Sequence, residues 1–213
     1  ARLWDEMRES SSIARCRLAR GQVRRLRGNA EQAWEDLGSL RGEENALCLA
    51  RASLLEGDLY HDQGRLEEAR RCHKRALILS QEEGLGEEEC LAYLALGRDL
   101  LVATRLDQAM GAVMLAFQKS RKIQRRRLII LAGAGLGDLY RRIGREGRAI
   151  EFYGAAREQA EQAGYLDLLP RILGSISEAM AGQGEDLSTA LEIAKRSYSL
   201  ATKLDTPRAR IES

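Results

Sequence analysis

The feature that most constrains this chain is a repeat with a period near 40 residues. Gly57, Gly97 and Gly137 lie 40 residues apart, Ser177 takes the same place in the next unit, and Gly21 precedes Gly57 by 36. A second column holds Gly28, Gly64, Thr104, Gly144 and Gly184. A third holds Ala33, Ala69, Ala109, Ala149 and Ala190, the last after a one-residue insertion near Leu187. Chance rarely keeps three columns in step across five units. A period of this length marks like modules that stack to share a core.

Each column has a physical cause. Glycine inside a helix costs about 1 kcal/mol against alanine, so the first column makes sense only where another helix must come close. The second column falls where one apolar-periodic segment ends and the next begins. Glycine there reaches the left-handed conformation that stops a helix and opens a tight turn. Thr104 lacks that freedom, so its turn is expected to be strained or differently shaped. The alanines pack the second helix of each unit against the first.

Each unit therefore reads as helix, short turn, antiparallel helix. The spacing predicts helix pairs at 12–27 and 30–40, 44–63 and 66–83, 87–103 and 106–123, 126–143 and 146–163, and 168–182 and 186–204. Only two prolines occur. Pro170 falls in a first helical turn, where proline is tolerated, and Pro207 lies just past the last helix, where it helps end it. The repeats run 12–42, 43–85, 86–125, 126–165 and 166–205, with 206–213 as a tail and 1–11 as the tail of a preceding helix. The chain starts at Ala1 rather than Met, and no polar capping helix follows the last pair. Both points lead us to expect a fragment of a longer protein.

With 44% hydrophobic and 31% charged residues, the chain is expected to be folded and soluble. A net charge of +2 gives no global pull toward nucleic acid or membrane, and no apolar run reaches the roughly 18 residues of a membrane span. Cys16, Cys48, Cys72 and Cys90 form no Cys-x-x-Cys pair, and neither histidine has zinc-site spacing. Thiols so placed suit a reducing, cytoplasmic setting.

The columns resemble the tetratricopeptide repeat family, whose pattern asks for Leu-Gly, Tyr, Gly, Ala, an aromatic and Ala at fixed offsets. The unit with Leu136, Gly137, Tyr140, Gly144, Ala149, Tyr153 and Ala156 fits best. Another has Gly57, Tyr60, Gly64, Ala69 and Ala76, with His73 in the aromatic place. A third has Tyr93, Leu96, Gly97, Leu100, Ala109, Val113 and Ala116. The first and last units are degenerate, with Arg24 and Met180 at the Tyr position. The family's common unit is about 34 residues. A 40-residue unit is similar to the long-repeat branch, which includes the spindle-orientation adaptor Pins/LGN, kinesin light chains and the repeat segments of bacterial signalling ATPases and transcription activators. The resemblance implies an all-α, right-handed superhelical solenoid of antiparallel helix pairs with a concave, ligand-binding groove.

Two alternatives need weighing. The stretch LAGAGLGDLY, 131–140, has glycines at every second residue. A dinucleotide loop needs a strand before it and a helix N-terminus directly after it. The repeat register instead puts this stretch inside a first helix. The basic run KSRKIQRRR, 119–127, has six cations but no interleaved aromatics to stack on bases, so it reads as a solvated edge and not a nucleic-acid surface. Catalysis has little support. His61 and His73 have no motif-fixed Ser or Cys partner, and the adjacent side chains of Cys72 and His73 diverge on a helix. No metal or cofactor is expected.

By the resemblance, the groove-lining places include Asp58, His61 and Asp62 in the second repeat, Leu94, Arg98, Leu101 and Val102 in the third, and Asp138, Arg141 and Arg142 in the fourth. Leu101 and Val102 are either an exposed apolar binding patch or are covered by a neighbouring helix. Arg98, Arg141 and Arg142 either form a cationic cluster suited to a partner's carboxylate or phosphate or are neutralised by Asp58, Asp62 and Asp138. The Lys and Asn clamp of the family's chaperone-binding members is missing from these places. The function expected is a non-catalytic scaffold for a protein or peptide ligand. The alternative is a regulatory or sensor segment of a larger signalling ATPase, kinase or activator, in contact with its own chain.

Overall fold

Alanine, leucine, glutamate and arginine dominate the chain, and helix follows. The computed structural model describes residues 2–40, 42–184 and 187–203, with side chains described from Ser11 onward. Pro207 lies outside the described residues. Among the described residues there are ten α-helices and no strand. They are α1 (Arg2–Leu26), α2 (Ala30–Gly38), α3 (Ala46–Asp62), α4 (Leu66–Glu82), α5 (Gly86–Val102), α6 (Leu106–Lys122), α7 (Arg126–Arg142), α8 (Glu146–Ala163), α9 (Leu169–Gln183) and α10 (Leu187–Lys203). Nine of the ten begin and end within two residues of the predicted bounds.

The exception is α1. Residues 2–11, read from the sequence as the tail of a preceding helix, continue into 12–26 without a break. No glycine or proline interrupts the segment before Gly21, so nothing local stops the helix. Pro170 sits in the first turn of α9, as expected.

The chain divides into two compact units, residues 1–99 and 100–213. In the first, α1 packs on α2 and α3, and α3 packs on α4. Its core includes Ala14, Leu18, Leu40, Cys48, Leu55 and Leu59. In the second, α6 packs on α7, α7 on α8, α8 on α9 and α9 on α10. Ile130, Tyr153, Leu169, Ile172, Leu173 and Ile176 are among its core residues. The alanine column is buried throughout, from Ala33 to Ala190.

The first glycine column has a more specific cause than helix approach alone. A Cβ on Gly137 would stand 2.5 Å from the Tyr153 ring, and one on Gly57 would overlap the His73 ring. In each case the ring from the second helix of a pair sits where the first helix has no side chain. Gly21 differs: its missing Cβ makes room for Leu55 of α3, at 2.8 Å.

The second column is left-handed in every repeat, Thr104 included (φ 57°). The third turn is therefore strained but not differently shaped. Arg105 N–H donates to Leu100 O at 2.9 Å, as Arg65 N–H donates to Tyr60 O at 2.9 Å and Arg145 N–H to Tyr140 O at 2.9 Å. A further left-handed column, Gly84, Gln124 and Gly164, closes the turns between pairs.

A β-branched residue held left-handed costs about 1–3 kcal/mol, while glycine adds roughly 0.4–1 kcal/mol of unfolded-state entropy. Thr104→Gly is accordingly expected to stabilise the fold by about 1 kcal/mol, read as a raised urea midpoint. An unchanged midpoint would show that this turn stores no strain.

Candidate functional site

The first helix of each repeat carries the predicted ligand face, so its side chains decide what the array can bind. In the first unit, α3 supplies Asp58, His61 and Asp62. Arg25 of α1 reaches Asp58 at 3.1 Å and Asp62 at 2.7 Å. Arg98 of α5 reaches Asp58 from the other side at 2.5 Å. Burial raises the cost of charging Asp58, but His73, Arg98 and Arg25 outweigh it and hold its pKa well below the usual carboxylate range. Burial opposes the charge on Arg98 too, and Asp58 more than restores it. Leu94 is half-buried on the same helix as Arg98.

Behind this face lies a group that the sequence reading did not single out. Asp99, the neighbour of Arg98, is fully buried. His61 Nδ1 meets its Oδ1 at 2.6 Å, and His73 Nδ1 meets its Oδ2 at 2.6 Å. Burial works against the Asp99 charge, but the two imidazoles and Arg98 hold its pKa below normal. An ionised carboxylate only accepts, so both histidines donate from Nδ1. The other ring nitrogen of His73, Nε2, has no hydrogen-bond partner and lies 3.7 Å from Asp58 Oδ1.

Register explains why the group forms. Position 99 corresponds to Leu59 and Leu139, each 1% exposed. Position 73 corresponds to Tyr153. A buried aspartate thus replaces a core leucine, a buried histidine replaces the packing aromatic, and the two departures bond to each other. A polar residue in each of two apolar columns was the signal available in the sequence.

The second unit carries the predicted residues Leu101, Val102, Asp138, Arg141 and Arg142. Val102 is 53% exposed and Leu101 is half-buried. Asp138 accepts the Tyr153 hydroxyl at 2.6 Å and pairs with Arg171 at 3.1 Å. Burial and then the Asp138 charge raise the Tyr153 pKa, so the phenol stays protonated and donating. Arg141 pairs with Glu178 at 2.8 Å, and Arg142 is exposed.

Much of this charge is neutralised, partly by partners other than those foreseen. Arg98 does meet Asp58, but Asp62 pairs with Arg25, Asp138 with Arg171 and Arg141 with Glu178. Arg25–Asp58 and Arg141–Glu178 occupy the same repeat positions in their respective units. Each joins the last turn of one first helix to the second half of the next.

The stretch 131–140 lies wholly within α7, with Ala132, Gly133 and Ala134 buried, so it is helix and not a phosphate loop. In the basic run, Arg127 pairs with Asp167 at 2.6 Å and Arg121 lies over the Phe117 ring at 5.9 Å. Burial, with nearby Glu56, pushes the Cys72 thiol up to about 11, away from the thiolate a nucleophile needs. No cluster of metal-ligating side chains occurs among the described residues. None of their helices is long and apolar enough to cross a membrane.

Comparison with known proteins matches this geometry to helix-pair arrays of the tetratricopeptide type. A Rap protein complexed with competence and sporulation factor superposes with a TM-score of 0.81 at 14% identity, over 96% of this chain and 60% of that one. The Rap conjugation gene regulator of the plasmid pLS20, in complex with a Phr peptide, gives 0.74 at 16% identity over 91% and 55%. A Signal Transduction ATPase with Numerous Domains from Pyrococcus horikoshii, which has a tetratricopeptide repeat sensor, gives 0.68 at 15% identity over 97% and 32%. The chain thus spans less than two thirds of each of these three proteins. No family model matches the sequence, and no curated relative does. At these identities the likeness establishes the fold, a tetratricopeptide-like array of antiparallel helix pairs.

Tyr153→Phe keeps the ring on Gly137 but removes the donor to Asp138. It is expected to cost about 1 kcal/mol. Arg148→Ala, in the exposed pair with Glu151 (65% and 63% exposed), is expected to change stability by less than about 0.5 kcal/mol. Equal urea midpoints for the two variants would show that the buried hydroxyl adds nothing net.

Proposed function

We propose that the chain is a non-catalytic module that binds a protein or peptide segment through the groove-facing side chains of its first helices. The observation that carries this reading is the match to a Rap regulator in complex with a Phr peptide, over 91% of this chain. Two features of the faces agree with it. Val102 is 53% exposed beside half-buried Leu101, apolar area of the kind that anchors a partner. The fixed ion pairs around Asp58 and Asp138 offer a rigid, partly exposed polar setting for orienting a ligand. Among the described residues no disulfide joins the cysteines, and Cys16 is exposed, which suits a reducing, cytoplasmic setting.

A second reading makes the array the sensor segment of a larger signalling ATPase, acting on its own chain. It is favoured by the match of 97% of this chain to 32% of a signalling ATPase with such a sensor.

The test is affinity capture from native lysate, wild type against Leu101→Glu/Val102→Glu, with circular dichroism confirming that the variant is folded. A partner held by wild type and lost, by tenfold or more, from the variant is the expected result. Partners retained equally by both would remove this patch from the ligand site. Capture of nothing by either would turn the choice to the sensor reading.

A further inference from the structure

The two polar departures from the repeat pattern point to a shared role. We propose that Asp99, bridging buried His73 to His61 on the ligand face of α3, makes the first unit proton-responsive, so that a proton on His73 Nε2 sets the state of that face. The proposal rests on the reading that α3 presents a ligand surface.

The geometry fixes where the proton goes. His73 Nδ1 is committed as a donor to Asp99 at 2.6 Å. The remaining titrating atom is Nε2, buried, without a hydrogen-bond partner and 3.7 Å from Asp58 Oδ1. With a proton, Nε2–H faces a carboxylate. Without it, a lone pair faces the same carboxylate in a site closed to water. Two carboxylates face the ring, Asp58 from α3 and Asp99 from α5; Asp58 also meets Arg25 of α1 and Arg98 of α5, Arg25 meets Asp62, and Asp99 also meets His61.

Burial alone would discharge His73, but Asp58 and Asp99 outweigh it and raise its pKa. A group whose folded pKa lies above its unfolded value of about 6.5 stabilises the fold fully below that value. The stabilisation fades as pH rises through the folded pKa. The lowered pKa values of Asp58 and Asp99 act only in the acid range. Because Asp99 accepts from both imidazoles, a change at His73 alters the acceptor that holds His61, which keeps 16% of its side chain exposed.

The chain has only two histidines, so nitrogen-15 histidine spectra of the wild-type protein can follow both rings from pH 5.5 to 9. One ring is expected to keep its second proton beyond the pH at which a free histidine loses it, with the other ring's shifts moving through the same midpoint. Two independent transitions near the free-histidine value, or a buried ring neutral across the whole range, would overturn the proposal.

A second arm uses the protein's own template, because Tyr153 and Leu139 hold the corresponding positions in the second unit. The wild-type urea midpoint is expected to fall between pH 6 and pH 9, and that of His73→Tyr/Asp99→Leu to stay level. An equal fall in both proteins would also overturn it. Neither arm uses a ligand. Failed partner capture with these transitions intact would sink the ligand reading alone.

Discussion

A ring seated on a glycine is the contact on which each well-formed pair depends. Tyr153 occupies the space left open by Gly137, and His73 the space left open by Gly57. The second helix can then lie close to the first, with the buried alanines completing the seam. Mid-helix glycine is costly on its own, and the buried ring offsets that cost with a large contact area. The same contact fixes the polar end of the ring. Tyr153 places its hydroxyl against Asp138, and His73 places its nitrogens between Asp58 and Asp99.

Core packing and the polar face are therefore one construction. The aspartate of each Gly-Asp-Leu-Tyr segment follows the glycine directly, so the ring that fills the core also touches the face. Further charges then join successive first helices, Arg25 to Asp58 and Arg141 to Glu178. Partly buried ion pairs add little net stability, because desolvation offsets much of the Coulomb gain. Their effect here is to hold side chains in fixed positions.

Among the described residues, the sequence by itself determined the number of helices and, α1 apart, their bounds. Periodicity and the three columns are local properties, and a 40-residue register carries them from repeat to repeat whatever the distant contacts. It also determined the left-handed turns, although the column of Gly84, Gln124 and Gly164 was missed: glutamine hid the pattern, and only backbone geometry showed that it adopts the glycine conformation (φ 55°). The extent of α1 was misjudged because the repeat signal begins only at residue 12, and a helix needs no repeat to continue.

Tertiary structure decided the charge partners. The sequence left open whether Asp58, Asp62 and Asp138 neutralise Arg98, Arg141 and Arg142; Asp62 pairs directly with Arg25 and Asp138 with Arg171, because facing helices supply partners that spacing along one helix cannot reveal. It also decided that Asp99 is a buried bridge between two histidines and not a surface carboxylate. An aspartate in a leucine column and a histidine in a tyrosine column are each visible in the sequence as blemishes. That they are 2.6 Å apart and complete one another follows only from the packing of α4 and α5 residues around α3, since hydrogen bonding depends on distances that a one-dimensional register does not contain.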